Sequence, residues 1–353
     1  MNSGIICEFN PFHKGHKYLI DSVKGENDGI ICIMSGNFVQ RGDCAVYSKF
    51  YRAKEALLGG ADLIIELPTE FSTLSAQGFA KAGVNLLEST GICDNIAFGA
   101  ECDDVNELKS AAEKVKANDS LIKSELEKGI SYPAARRNAA GSSLLDSPNN
   151  ILAVEYLTYT SLNPIAVKRI GLGHDSADEE YSASEIRKTL DENKTAALKN
   201  AQRAVLYKLR TMSAQDFLKI DDVSEGLENR IISAAGEAKT LDELCFLIKT
   251  KRYTMSRIRR IILRAFLGIE KDSRKEPSYI RILGFDKKGE ELLGDIKKKS
   301  SFPVITKYSD AKKEGGKVLK AFERECKYTD IFNLCYKSPR PSGEDQSSKI
   351  IRI

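Results

Sequence analysis

Four short segments of this chain are almost continuously apolar: Ile5-Ile6-Cys7, Gly29-Ile30-Ile31-Cys32-Ile33-Met34, Leu63-Ile64-Ile65-Glu66-Leu67 and Asn95-Ile96-Ala97-Phe98. Neighbouring side chains of a strand point to opposite faces, so a strand apolar at every position must be covered on both. Between these runs lie stretches of helical period at residues 16–23, 49–58 and 76–87. Strand and helix in alternation predict a parallel sheet with helices on both sides, the doubly wound α/β architecture. Such sheets bind ligands at the carboxyl ends of their strands. A charged helical stretch over 103–129, expected to be solvated, and a helix over 151–162 lead to a last strand at 166–170.

The pattern changes near residue 195. Helical segments dominate 196–270, and 271–353 predicts a small mixed unit with strands near 278–285 and 304–306. The polar tail after Pro339 is expected to be loose. Three units follow: a catalytic α/β domain over 1–195, a helical basic region over 196–270, and the mixed unit over 271–353.

Charge divides the same way. The first 200 residues hold 21 Lys and Arg against 28 Asp and Glu, and the remainder 33 against 22. An acidic half followed by a basic half predicts a polyanion partner for the second. At helical spacing, Arg257, Arg260 and Arg264 share one face of the segment 249–264, which reads as a candidate RNA-backbone contact with Tyr253 available to stack. No apolar run approaches the roughly 20 residues a membrane span needs, and no signal peptide opens the chain, so the cytoplasm is expected. The eight cysteines include no C-x-x-C pair and read as reduced thiols, with no metal cluster.

The chemistry is concentrated in Asn10-Pro11-Phe12-His13-Lys14-Gly15-His16, which follows the first apolar run and opens the first helix. Gly15 lets backbone approach a phosphate closely, and a helix start offers free N–H groups and a positive dipole end. His13 and His16 can add ring N–H donors where charge builds at phosphorus. The chain has one further histidine, His174, in a glycine-rich stretch that reads as a loop.

The run from Gly4 to His16 resembles the HxGH motif of the nucleotidyltransferase superfamily, with Asn10 where most members carry an acid. A fuller set is similar to one family, the bacterial tRNA(Met) cytidine acetate ligases. It comprises residues 8–16, 34–42, 60–68, Phe98-Gly99-Ala100-Glu101, Pro148-Asn149-Asn150-Ile151-Leu152, Lys168-Arg169-Ile170-Gly171 and 182–187 in that order. The segment after Gly171, Leu172-Gly173-His174-Asp175, is shorter than the family usually shows.

The resemblance implies an ATP cradle formed by Ile6, Cys7, Glu8, Phe9, Asn10, Pro11, Phe12, His13, Lys14, Gly15, His16, Lys17, Tyr18 and Leu19, joined by Gly99, Asn150, Arg169 and Ser184. Catalysis would fall to His13, His16 and Arg187. Gln40, Arg41, Gly42 and Lys49 are expected to contact substrate or phosphate, and Glu66 is either a site group or a structural carboxylate. The implied reaction activates acetate with ATP, Mg²⁺ accompanying the nucleotide, and acetylates N4 of the wobble cytidine of elongator tRNA(Met). A small-molecule adenylyltransferase is the alternative; it leaves the basic second half unexplained.

Overall fold

The computed structural model describes residues 1–25, 28–169, 183–224, 226–271 and 276–353. Their strands are β1 (Asn2–Cys7), β2 (Gly29–Ser35), β3 (Phe38–Val39), β4 (Asp43–Cys44), β5 (Leu63–Leu67), β6 (Asn95–Ala100), β7 (Asn163–Lys168), β8 (Ile280–Phe285), β9 (Val304–Ile305) and β10 (Ile351–Arg352). The main sheet runs β10-β8-β5-β2-β1-β6-β7, with β9 beside β8. From β5 to β7 every pairing is parallel, as the apolar runs predict. Strand order reverses between β1 and β6, which places the crevice of a doubly wound sheet over their carboxyl ends.

Alternation explains why these strands carry so few polar residues. Ile6, Ile31, Ile33 and Phe98 enter one core beneath helices Ala76–Glu88, Val105–Ala117 and Pro148–Tyr159. Ile5, Cys32, Ile64 and Ala97 enter the other, against helices Lys14–Val23 and Lys49–Leu58. Both faces are therefore dry. The stretch 103–129, expected to be solvated, forms helices Val105–Ala117 and Asp119–Glu127 and buries one face through Leu108, Ala111, Ala112 and Val115. Short alanine and valine side chains gave that face little weight in the sequence.

The C-terminal residues depart further from expectation. β8 pairs antiparallel with β5, so the strands of the last segment extend the N-terminal sheet rather than forming their own. The run Ile280-Arg281-Ile282-Leu283-Gly284-Phe285 is buried at every position, and such a strand completes whichever sheet edge is open. The tail beyond Pro339 is not loose either. Asp345 is buried, and β10 closes the sheet edge beside β8.

A buried ionic network holds this arrangement. The ammonium of Lys49 lies 2.6 Å from Glu66 and 2.7 Å from Asp345. Arg281 bonds Asp345 at 2.6 Å and approaches Glu66 at 3.4 Å. Two cations thus face two carboxylates. A third carboxyl, Glu325, takes the backbone N–H of Thr69 at 2.8 Å and is pushed up to about 8, first by burial and then by Glu66. That shift favours its neutral form, in which the cluster carries no net charge. Arg281, Lys49 and Asp345 keep one another ionised, Asp345 being held down to about 2 despite its burial. Lys49 and Glu66 are consequently structural, and the expected substrate contact at Lys49 does not form.

The helical region packs its own core around Leu209, Ile231, Leu244, Ile258 and Ile261, into which Phe38 and Cys44 of the β3–β4 hairpin also project. Arg264, expected on an exposed basic face, is 1% exposed. Its guanidinium donates to the carbonyl of Glu70 and the hydroxyl of Thr73, both at 3.0 Å, and pairs with Asp221. The helix Met255–Leu267 lies against the sheet domain on this side, so its arginines divide between two environments.

Removing one partner of a buried ion pair leaves an uncompensated charge, at a cost of about 3–5 kcal/mol. Lys49→Met is therefore expected to lower unfolding free energy by roughly that amount in urea titration. Nucleotide affinity, measured where the variant is still folded, should stay within about threefold of wild type. A variant of wild-type stability that fails to bind nucleotide would return Lys49 to the site.

Candidate active site

β1 ends at Cys7, and the next six residues turn into the helix Lys14–Val23. Phe9 adopts a positive φ of 45°, uncommon for a bulky residue, and is held there by packing. It is fully buried, edge-on to Phe12 at 5.0 Å and to His16 at 4.9 Å. His13 caps the helix, its Nδ1 accepting the N–H of Gly15 at 3.1 Å. A Cβ on Gly15 would meet the His13 ring at 3.0 Å, so glycine lets the ring fold back over the helix start.

That fold-back stacks His13 on His16, with ring centroids 3.7 Å apart and planes 23° apart. Both rings resist protonation. Burial, then Arg169 and Arg187, lowers His13 to about 4. Burial, then His13 and Arg169, holds His16 well below the usual imidazole range. Both are neutral at pH 7. Because His13 accepts at Nδ1, its own proton sits on Nε2. The buried Nδ1 of His16 has no hydrogen-bond partner among the described residues. The pair is thus a set of neutral N–H donors at a helix N-terminus, suited to polarise a phosphate as charge grows.

Three arginines reach this turn from separate elements. Arg187, on the helix Ala183–Thr189, donates to the carbonyl of Asn10 at 2.8 Å. Arg169 follows β7, exposed and close enough to both histidines to oppose their protonation. Arg41 lies in the β3–β4 turn, near enough to Arg187 to lower its pKa after burial has done so. That turn is fixed from both sides. Gln40 N–H bonds the Glu8 carboxylate at 2.7 Å. Gly42 has φ of 78°, and a Cβ there would lie 2.4 Å from the backbone nitrogen of Arg260.

These residues line a single cleft of about 2210 Å³. Of the expected cradle, Ile6 to Asn10, His13 to His16, Tyr18, Leu19, Gly99 and Arg169 line it, and so does Arg187. A Cβ on Gly99 would meet nothing nearer than 3.5 Å, so the bare glycine leaves the floor open. Pro11, Phe12 and Lys17 are not among the lining residues; Phe12 backs the histidines, and Lys17 pairs with Asp21 on the helix surface. Asn150 is set back as well. Its Oδ1 accepts the N–H groups of Glu101 and Cys102 at 3.0 and 3.1 Å, so it shapes the loop after β6. His174, Ile170 and Gly171 lie outside the described residues, as does the side chain of Ser184.

The sequence reading missed Arg52. It is fully buried and donates to the carbonyls of Tyr47, Glu8, Ser35 and Gly36, tying the ends of β1 and β2 together. Its spacing, one turn after Lys49 on an otherwise apolar face, was the available signal. The basic face of helix Met255–Leu267 also differs from expectation. Arg257 donates to the carbonyl of Asp222 at 2.6 Å, Arg260 pairs with the Asp222 carboxylate at 3.4 Å, and Tyr253 is buried beneath Arg257. Those groups hold the helix to the Asp221-Asp222 turn. Arg259, one position along, is exposed and lines the cleft.

With both histidines neutral, their contribution is hydrogen bonding. His16→Ala is expected to slow cleavage of ATP at the α-phosphorus roughly 100-fold or more, the loss of one transition-state donor. The thermal midpoint should stay close to wild type. A folded His16→Ala protein with near-normal rate would remove His16 from the chemistry.

The model of the HIGH Nucleotidyl Transferase family matches residues 1–205 and 191–347. The chain is 38% identical over 409 residues to the tRNA(Met) cytidine acetate ligase of Acetivibrio thermocellus, covering 99% of each. It is 37% identical over 402 residues to that of Clostridium perfringens, again covering 99% of each. Among solved structures, Thermotoga maritima TmcAL bound with alpha-thio ATP superposes with a TM-score of 0.88 at 31% identity, covering 100% of this chain and 99% of that one. Sequence matches over the whole length and a fold match of the same extent agree with the geometry of the histidine turn, and the chain belongs to the tRNA(Met) cytidine acetate ligase family of HIGH nucleotidyl transferases.

Proposed function

We propose that the protein activates acetate at the α-phosphorus of ATP and then passes the acetyl group to N4 of the wobble cytidine of elongator tRNA(Met). One observation carries this reading: the cleft joins a phosphate-handling turn to a far wall bearing Lys199, Arg252 and Arg259. Pockets for one small ligand measure about 300–1,000 Å³. At about 2210 Å³ this cleft has room for a nucleotide and for a base presented by a much larger polyanion.

In the first half-reaction an acetate oxygen attacks the α-phosphorus and pyrophosphate leaves. The neutral N–H donors of His13 and His16, with the positive helix end, meet the oxygens on which charge grows. Arg169 and Arg187 draw the leaving phosphates. Mg²⁺, carried by the phosphates, would add charge neutralisation. Among the described residues no group of three metal-ligating side chains would hold it independently. In the second half-reaction N4 attacks the acetyl carbon and AMP leaves. Among the described residues no helix is long and apolar enough to cross a membrane; a tRNA substrate supports a cytoplasmic enzyme.

Incubation with ATP, labelled acetate and bulk tRNA, followed by nucleoside analysis, is expected to yield labelled N4-acetylcytidine. Pyrophosphate release with adenylylation of a small molecule, indifferent to RNA, would overturn the reading in favour of an ordinary adenylyltransferase.

The RNA route is testable separately. Arg41 and Arg259 are exposed and both line the cleft, where the β3–β4 turn packs on helix Met255–Leu267. Arg41→Glu with Arg259→Glu is expected to weaken tRNA binding about tenfold or more. The salt dependence should become shallower by about one to two units of slope, because fewer counterions are released. Wild-type affinity and slope in this variant would move the RNA contact elsewhere.

A further inference from the structure

Transfer of an acetyl group to an exocyclic amine releases a proton, and the histidine pair is poorly suited to take it, being half-buried and held neutral. The cleft offers several carboxylates. Glu155 is paired with Arg136, Asp222 with Arg260, and Asp43 accepts the N–H groups of Cys44 and Leu198. Glu185 sits on the surface beside Lys188, and Asp242 lies at the far wall on helix Leu241–Ile248. Glu8 differs from all of these. It stands at the carboxyl end of β1, on the same turn as His13 and His16, and it lines the cleft.

Its carboxylate is held in place. One oxygen accepts Gln40 N–H at 2.7 Å, and its backbone carbonyl is anchored by the buried Arg52. Among the described residues no hydrogen bond reaches the other oxygen. Arg41, Arg52 and Arg187 surround the group and favour its charge, whereas burial opposes that charge more strongly and raises its pKa. A carboxylate raised in this way is a better proton acceptor than one in water. The cations around it also offset the repulsion it would exert on an incoming acetate.

We infer that Glu8 is the general base of the acetyl-transfer step. The inference rests on the function proposed above. The N4 lone pair of cytidine attacks the acetyl carbon, and the bond from that carbon to the phosphate oxygen breaks. AMP leaves with the electron pair. The proton released from N4 passes to the free oxygen of Glu8, which returns it to water. Glu8 is therefore unprotonated in the active form, and the rate of transfer rises with pH and levels off above its pKa. Among the described residues Arg41, Arg52, Arg187, Cys7 and Tyr156 are titratable groups close to it.

The test supplies synthetic acetyl-adenylate, so that activation of acetate is bypassed, and follows single-turnover acetylation of an anticodon stem-loop across pH. Wild type is expected to show a rising limb. Glu8→Gln should transfer at least about 100-fold more slowly and lose the limb. Glu8→Asp should retain the limb at a reduced rate. A flat wild-type profile overturns the assignment without any variant. So does a folded Glu8→Gln protein within about threefold of wild type, or one that keeps the limb, which would then belong to a histidine. An equal loss in ATP–pyrophosphate exchange and in transfer makes Glu8 part of the nucleotide cradle alone. Failure of wild type to acetylate the stem-loop at any pH would instead refute the proposed function.

Discussion

Two buried cations one turn apart, Lys49 and Arg52, set the relation between the sheet and everything attached to it. Neither reaches solvent. Arg52 spends its donors on carbonyls at the ends of β1 and β2, and so holds the crevice where the histidine turn begins. Burial lowers its pKa to about 10, well above neutrality, so it stays charged. Lys49 faces the other way, into Glu66 and Asp345. One short helix thus anchors the active-site turn with one residue and the C-terminal tail with another. Buried ion pairs are seldom worth more than an apolar replacement, but they tolerate only one geometry. Here that geometry brings residues 49, 66, 281 and 345 to a single point.

The site shows how desolvation can serve chemistry. Stacking His13 on His16 beneath two arginines excludes the cationic form of either ring. A pair of imidazolium ions would bind ATP tightly in the ground state. Neutral donors bind it less, and their hydrogen bonds strengthen as charge moves onto the phosphate in the transition state. Positive charge is supplied by Arg169 and Arg187, which come from separate elements at the rim of the turn.

The second half of the chain works by placement. Its net positive charge invites a simple account in which a basic helix lies along RNA. The helix Met255–Leu267 instead turns most of its arginines inward, to Asp221, Asp222 and the carbonyl of Glu70. Arginine reaches far and bonds in a plane, so it is as useful for joining domains as for binding phosphate. What is left for a polyanion is the smaller set facing the cleft, with Arg259 on the helix that packs against the Arg41 turn.

From sequence alone the parallel sheet, the histidine turn and the family were legible. Each depends on local spacing: continuous apolar runs mean strands covered on both faces, and H-x-G-H after such a strand means a phosphate at a helix start. Equally local reasoning failed for Lys49 and Arg264, both buried, because a charged side chain carries no mark of which partner will meet it. The order β10-β8-β5 was invisible for the same reason, since a fully apolar strand fits any open edge. Whether Glu66 was a site group or a structural one was settled by Lys49 and Arg281, the second of them 215 positions further along the chain. Periodicity determines which residues avoid water; only the packed structure decides which charges are left to share the space without it.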